Sequence, residues 1–325
     1  MTDHFVRPDV RAMLDYVATA GAPKLHEMEL AMARQMVAAG RDLLDLPVGP
    51  LAVIRDLAIP GPGGAPIPAR LYDARGEREA GPVLVYYHGG GFVVGGLDSH
   101  EPICAEIARA LDLPVVSVDY RLAPENPWPA APEDCEAAAR WIAASPAELG
   151  RTATGLVLAG DSAGGTLTIV TTLALRDAPA AVPVIAQWPI YPAPDPAGKY
   201  HSYRDFADGF FLDAAAMNWF HESYAADYAD WRASPLKADH AGTPPTLIVT
   251  ASLDPLRDSG RAYAAALVKA GVPTIYREAT GNIHGFLNMR KAIPSSVADL
   301  AGCLLALKAI IVEADAAAAL KEAAE

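Results

Sequence analysis

Leu156-Val157-Leu158-Ala159-Gly160-Asp161-Ser162-Ala163-Gly164 is the stretch on which the fold turns. Its first four residues form an apolar run that predicts a strand, and Thr166 to Leu175 predicts a helix directly after it. Between them Gly160 to Gly164 has the pattern Gly-x-Ser-x-Gly. A strand turning sharply into a helix exposes and aims a serine hydroxyl, a poor nucleophile until it is also placed beside a base. Such a turn strains the serine backbone and needs small neighbours, hence the bracketing glycines. The following helix adds its N-terminal dipole and free N–H groups beneath any oxyanion that forms. The competing reading at this point is a tight turn with no chemistry.

Outward from this segment, strands and helices alternate. Val53 to Ile59 and Ile67 to Tyr72 flank the turn Pro60-Gly61-Pro62-Gly63-Gly64 and predict an antiparallel hairpin. Further strands are predicted at Val83–Tyr87, Val115–Val118, Val184–Trp188, Thr246–Thr250 and Thr274–Arg277. Helices are predicted near 101–111, 132–143, 258–270 and 295–313. Apolar strands alternating with helices predict an α/β fold with a mostly parallel sheet covered on both faces.

Two regions break the alternation. Residues 9 to 45 read as helices, with Leu25, Met28, Met32 and Met36 at helical spacing between Pro23 and Gly40. That stripe fits either core or the adaptable wall of an apolar pocket. Between Pro192 and about Pro235 the chain gathers Tyr200, Tyr203, Phe206, Phe210, Phe211, Trp219, Phe220, Tyr224 and Trp231 without returning to the sheet. An insertion of this length predicts a lid, with a peripheral helical layer as the alternative. The Ala-rich end from Ala314 to Glu325 reads as a surface helix or frayed tail.

At 325 residues a single large α/β domain is ordinary, and 52% hydrophobic with 20% charged residues supplies a core without disorder. The formal net charge of -13 argues against nucleic acid and anionic membrane surfaces as partners. No apolar run approaches bilayer length, and Met1 to Pro8 lacks the form of a signal peptide. Cys104, Cys135 and Cys303 form no zinc pattern and predict reduced thiols in a cytoplasmic protein. No metal or other cofactor is expected.

Three segments supply what Ser162 lacks, each past a predicted strand, where open parallel sheets gather functional groups. His88-Gly89-Gly90-Gly91-Phe92 follows Val83–Tyr87, and its glycines let backbone N–H groups approach a substrate oxygen. One such donor is typically worth on the order of a hundredfold in rate. With the N–H of Ala163, Gly90 and Gly91 predict a three-donor oxyanion hole, His88 shaping the loop. Asp254 follows Thr246–Thr250 and can receive an imidazole N–H. Its competitor Asp258 sits where a helix begins and reads as a capping acid. His284, in Gly281-Asn282-Ile283-His284-Gly285-Phe286, is a glycine-flanked base on a late loop. The order Ser162, Asp254, His284 is that of α/β-hydrolases. His4, His26, His100, His201, His221 and His240 have no comparable setting.

With Tyr120-Arg121-Leu122-Ala123-Pro124-Glu125 and Asp254-Pro255-Leu256-Arg257-Asp258 added, these motifs resemble the bacterial hormone-sensitive lipase group of esterases, in the branch with aspartate before the nucleophile. The resemblance covers roughly residues 45 to 315. It implies an α/β-hydrolase fold, Ser162 as nucleophile, His284 as general base and acid, Asp254 as its orienting partner, and the backbones of Gly90, Gly91 and Ala163 as oxyanion hole. It also implies a catalytic domain of residues 46–191 and 236–325, with N-terminal cap helices (1–45) and a cap insertion (192–235). Phe92, Asp161, Tyr191, Phe211, Trp219 and Phe286 are the expected substrate contacts. Ser259 stands where the family usually has glutamate, and Asn282 where small or apolar residues are frequent.

The implied activity is a metal-independent carboxylesterase acting on a small-molecule ester of short to medium acyl chain, and family members are often homodimers. An amidase or peptidase on the same scaffold, and a non-catalytic ligand receptor, are the alternatives.

Overall fold

A computed structural model describes residues 4–21 and 23–322. The segment before residue 4 and the last three residues of the Ala-rich end, both read above, lie partly or wholly outside these. In chain order the elements are α1 (Pro8–Thr19), α2 (Leu30–Leu44), β1 (Val53–Pro60), β2 (Pro66–Asp73), β3 (Gly81–Tyr87), α3 (Leu97–Leu111), β4 (Val115–Val118), α4 (Ala130–Ala143), β5 (Ala153–Asp161), α5 (Ala163–Asp177), β6 (Val184–Ile190), α6 (His201–Asp205), α7 (Ala214–Tyr224), β7 (Thr246–Leu253), α8 (Arg257–Lys269), β8 (Thr274–Ile283) and α9 (Ser296–Glu322).

The strands form one sheet in the order β1-β2-β4-β3-β5-β6-β7-β8. β1–β2 and β2–β4 pair antiparallel, and every pairing from β4 to β8 is parallel. This is the α/β-hydrolase arrangement: the hairpin starts one edge, and helical crossovers cover both faces of the parallel part.

Alternation along each strand divides the core. Val83, Val85, Tyr87, Leu156 and Leu158 pack on one face with Cys135, Ala138 and Ile142 of α4 and Leu167 of α5. Leu84, Tyr86, Val157 and Ala159 point the other way, onto Ile103 and Ile107 of α3 and Leu304 and Leu307 of α9. Successive side chains on a strand face opposite sides, so an all-apolar strand requires both layers. All three cysteines are buried and unpaired with one another. Among the described residues no helix is long and apolar enough to cross a membrane.

Boundaries differ from the sequence reading where tertiary contacts override propensity. α2 begins at Leu30 rather than enclosing the methionine stripe, and Gly40 lies inside it. Met32 and Met36 are exposed, while Ala33 is the fully buried position. Leu25 and Met28 precede the helix and pack against the core. The stripe is therefore not a continuous core face. β8 continues six residues past Arg277 to Ile283, because pairing with β7 persists across an irregularity between Ala251 and Leu253. The stretch 192–235 contains α6 and α7 joined by turns. Its aromatics differ in burial: Phe206 is fully buried with Val10, Met13 and Leu14 of α1, whereas Trp231 is half-buried against the cluster that contains Tyr263 of α8.

Candidate active site

Register brings the candidate residues together at the carboxyl ends of the parallel strands. Tyr87 of β3 pairs with Gly160 of β5, so the loop starting at His88 emerges beside the turn starting at Asp161. Leu253 of β7 pairs with Ile283 of β8, so Asp254 and His284, each the next residue, leave adjacent strands side by side. Sequence separation is large, but strand pairing makes these residues neighbours.

Ser162 occupies the turn itself, with φ 55° and ψ -117°. A non-glycine residue there is strained, on the order of 1–3 kcal/mol, and persists only when its surroundings impose it. Here the Ser162 N–H donates to the Ile190 carbonyl at 2.8 Å, extending the strand pairing into the turn. A Cβ on Gly164 would overlap the Tyr87 carbonyl, so elbow and sheet meet at backbone distance.

His284 Nε2 lies 2.8 Å from Ser162 Oγ, and its Nδ1 lies 2.7 Å from Asp254 Oδ2. The other oxygen of the buried Asp254 accepts the Leu256 N–H at 2.8 Å, fixing the carboxylate. With Asp254 ionised, Nδ1 carries the proton, leaving Nε2 to accept one from the serine. The Tyr191 ring packs 4.8 Å from the imidazole, with Phe286 behind it at 5.6 Å. Asp258 instead stands in the first turn of α8 and accepts the Ser202 N–H at 3.0 Å.

The glycine loop turns through φ 114° at Gly90 and 60° at Gly91. A Cβ on Gly90 would strike the Val94 carbonyl, and one on Gly91 would overlap the Phe220 ring. His88 is wholly buried, its Nδ1 2.7 Å from the Gly89 carbonyl oxygen. Burial, reinforced by nearby His100, pushes its pKa down to about 3, so it remains neutral.

The six expected substrate contacts separate into two groups. Asp161, Tyr191 and Phe286 are buried beneath the site. The Asp161 carboxylate takes the Tyr86 hydroxyl at 2.8 Å, the Gly89 N–H at 3.0 Å and the Asn288 amide at 3.0 Å. All three of these partners are protein donors. Burial alone would raise its pKa, but His100 at 3.2 Å and the Tyr86 hydrogen bond more than offset that and hold it below the ordinary value. Phe92, Phe211 and Trp219 retain solvent access. Phe92 stacks on Tyr224 with ring centroids 3.8 Å apart, and Trp219 lies 5.0 Å from Phe220.

His100 is the clearest correction among the histidines, since it belongs to the buried network under the glycine loop. Its signal was its place in the same glycine-rich segment that opens at His88. Asn288, shortly after His284, and Phe220 on α7 were also missed, and no local pattern distinguishes either. Asn282 donates to Ser296 and Asp299, and the Ser259 hydroxyl to the Leu256 carbonyl, so both departures from the family pattern are satisfied locally. Among the described residues no cluster of three or more His, Cys, Asp or Glu is placed to hold a metal ion.

Sheet order, strained elbow and hydrogen-bonded Ser-His-Asp relay together define the α/β-hydrolase class. Comparison with known proteins narrows this: residues 84–288 match the α/β-hydrolase fold family. A carboxylic ester hydrolase of Mycobacterium tuberculosis, LipN, is 42% identical over 266 residues, covering 79% of this chain and 70% of its own. The ethyl acetate hydrolase of Pseudomonas putida is 36% identical over 299 residues, covering 89% and 94%. Among solved structures, an esterase of Pyrobaculum calidifontis superposes with TM-score 0.85 at 34% identity, covering 94% of this chain and 99% of that one. The chain belongs to the α/β-hydrolase family, among its esterases of the hormone-sensitive lipase type.

Proposed function

We propose that this carboxylesterase hydrolyses short- to medium-chain acyl esters through a covalent acyl-enzyme on Ser162. The observation that carries this reading is the relay from Asp254 through His284 to Ser162, with links of 2.7 and 2.8 Å. Ser162 Oγ attacks the ester carbonyl carbon while His284 Nε2 takes its proton. The carbonyl oxygen becomes an oxyanion, held by the N–H groups of Gly90, Gly91 and Ala163. Collapse expels the alkoxide, which His284 protonates, and leaves the acyl group on Ser162. Water, deprotonated by His284, then attacks this ester, and Ser162 departs with the proton, releasing the acid.

We assign the segments before residue 46 and from 192 to 235 to a cap over the catalytic domain. Support comes from Lys24, whose ammonium meets the Asp213 carboxylate at 2.6 Å, linking the N-terminal segment to the cap of α7. The aromatics of α7 stand over the glycine loop, which restricts room for a long acyl chain.

Hydrolysis of a p-nitrophenyl ester series by purified Ser162→Ala and parent protein tests both parts. Ser162→Ala should lose on the order of 10⁶-fold in kcat. The parent's kcat/KM should peak at or below hexanoate and fall steeply by laurate. Undiminished turnover by Ser162→Ala would sink the nucleophile assignment, and a laurate optimum would sink the chain-length reading.

A further inference from the structure

The glycine loop is held from above by one face of one helix. Phe220 and Tyr224 are four residues apart on α7 and so project on the same side. The Phe220 ring lies where a Cβ of Gly91 would stand. The Tyr224 ring stacks on Phe92, the next residue, at 3.8 Å with 6° between planes. Both loop residues are left-handed, Gly91 at φ 60° and Phe92 at φ 65°. That conformation is costly for phenylalanine and persists only under external constraint.

The constraint is anchored away from the loop as well. The Tyr224 carbonyl accepts the Trp128 N–H at 3.0 Å, and the Phe92 carbonyl accepts the Ala123 N–H at 2.9 Å. Downstream, the Arg34 guanidinium of α2 donates to the Val93 carbonyl at 2.9 Å and to that of Ala123 at 3.0 Å. Direct packing on the loop glycine, however, comes from α7 alone among the atoms nearest that Cβ position.

We propose that Phe220 and Tyr224 are positioning residues for the oxyanion hole. α7 presses two rings onto Gly91 and Phe92 and so fixes where the Gly91 N–H points. Position 91 must be glycine partly because Phe220 occupies its side-chain space. The inference rests on the serine-esterase reading of the site. Donors act on the transition state more than on the bound ester, so disturbing them lowers kcat rather than raising KM.

The test is a double-mutant cycle on the full chain with p-nitrophenyl butyrate, monitored by near-ultraviolet circular dichroism. Phe220→Ala should lower kcat by about tenfold or more while KM changes less than about threefold. Phe220→Leu and Tyr224→Leu, milder changes that guard against failure to fold, should give smaller losses of the same kind. Gly91→Ala should cost at least about tenfold less in the Phe220→Ala background than in the parent, because the overlap with the ring is gone. Two results would overturn the proposal. One is Phe220→Ala retaining kcat within about twofold while its thermal midpoint falls, which is packing without positioning. The other is Gly91→Ala costing the same factor in both backgrounds. Ser162→Ala in the same assay separates the premises, since its retained activity would refute the serine reading whatever the cycle gives.

Discussion

The amide of Asn288 donates to the carboxylate of Asp161 at 3.0 Å, joining the loop after the catalytic-histidine candidate to the residue before the serine. The same carboxylate accepts the Gly89 N–H at the head of the glycine loop. One buried group thereby ties together three loops that arrive from β3, β5 and β8. A carboxylate suits this junction because it only accepts, and every neighbour offers a donor.

Asp161→Asn should therefore damage rate and stability together. Its amide would point N–H groups at donors from Tyr86, Gly89 or Asn288, leaving at least one buried group unpaired. Such a mismatch costs about 1–3 kcal/mol. Urea unfolding at neutral pH should show that loss, and kcat should fall by about tenfold as the glycine loop relaxes. Parental kcat and stability in Asp161→Asn would show that the junction does not hold the loops.

Acid should destabilise the protein through His88. Its imidazole is pushed down to about 3 in the folded chain, against about 6.5 when unfolded. Between these values the unfolded chain binds a proton that the folded one refuses, so stability falls as pH drops from 6.5 towards 3. This one group contributes a loss of about 2 kcal/mol between pH 7 and pH 5. His88→Gln, which cannot charge, should flatten that part of the urea-midpoint profile. An unchanged slope would mean that His88 is not the proton acceptor responsible.

Strands were legible because burial on both faces leaves a continuous apolar record, as in Val83–Tyr87 and Leu156–Ala159. Ser162 and the glycine loop were legible because strain and close backbone approach demand glycine at neighbouring positions. Asp254 and His284 were legible through chain order and strand ends, although only the Leu253–Ile283 register places them side by side. Other features were silent for equally physical reasons. Asp161 looks like a site residue from its position, but its partners Tyr86, His100 and Asn288 come from three separate segments. Phe220 is one aromatic among many until α7 is laid across Gly91. Met32 and Met36 fit a helical stripe, but whether that face is buried depends on a partner surface that periodicity does not specify.

The end of α2 is fastened to the chain beyond His284 by a buried ion pair. Arg290 Nε donates to Asp45 Oδ1 and Nη2 to Oδ2, each at 2.7 Å, and both residues are 3–4% exposed. The Leu44 carbonyl adds bonds from the Lys291 and Ala292 N–H groups at 3.0 and 3.1 Å. Removing one partner leaves the other as an uncompensated buried charge, which costs about 3–5 kcal/mol, whereas replacing both by apolar residues can approach neutrality. Asp45→Asn and Arg290→Met should thus each destabilise strongly, and Asp45→Leu combined with Arg290→Met should recover much of the loss. Chemical denaturation of the three variants decides the matter. Single variants costing less than about 1 kcal/mol would place the pair among weak surface-like contacts.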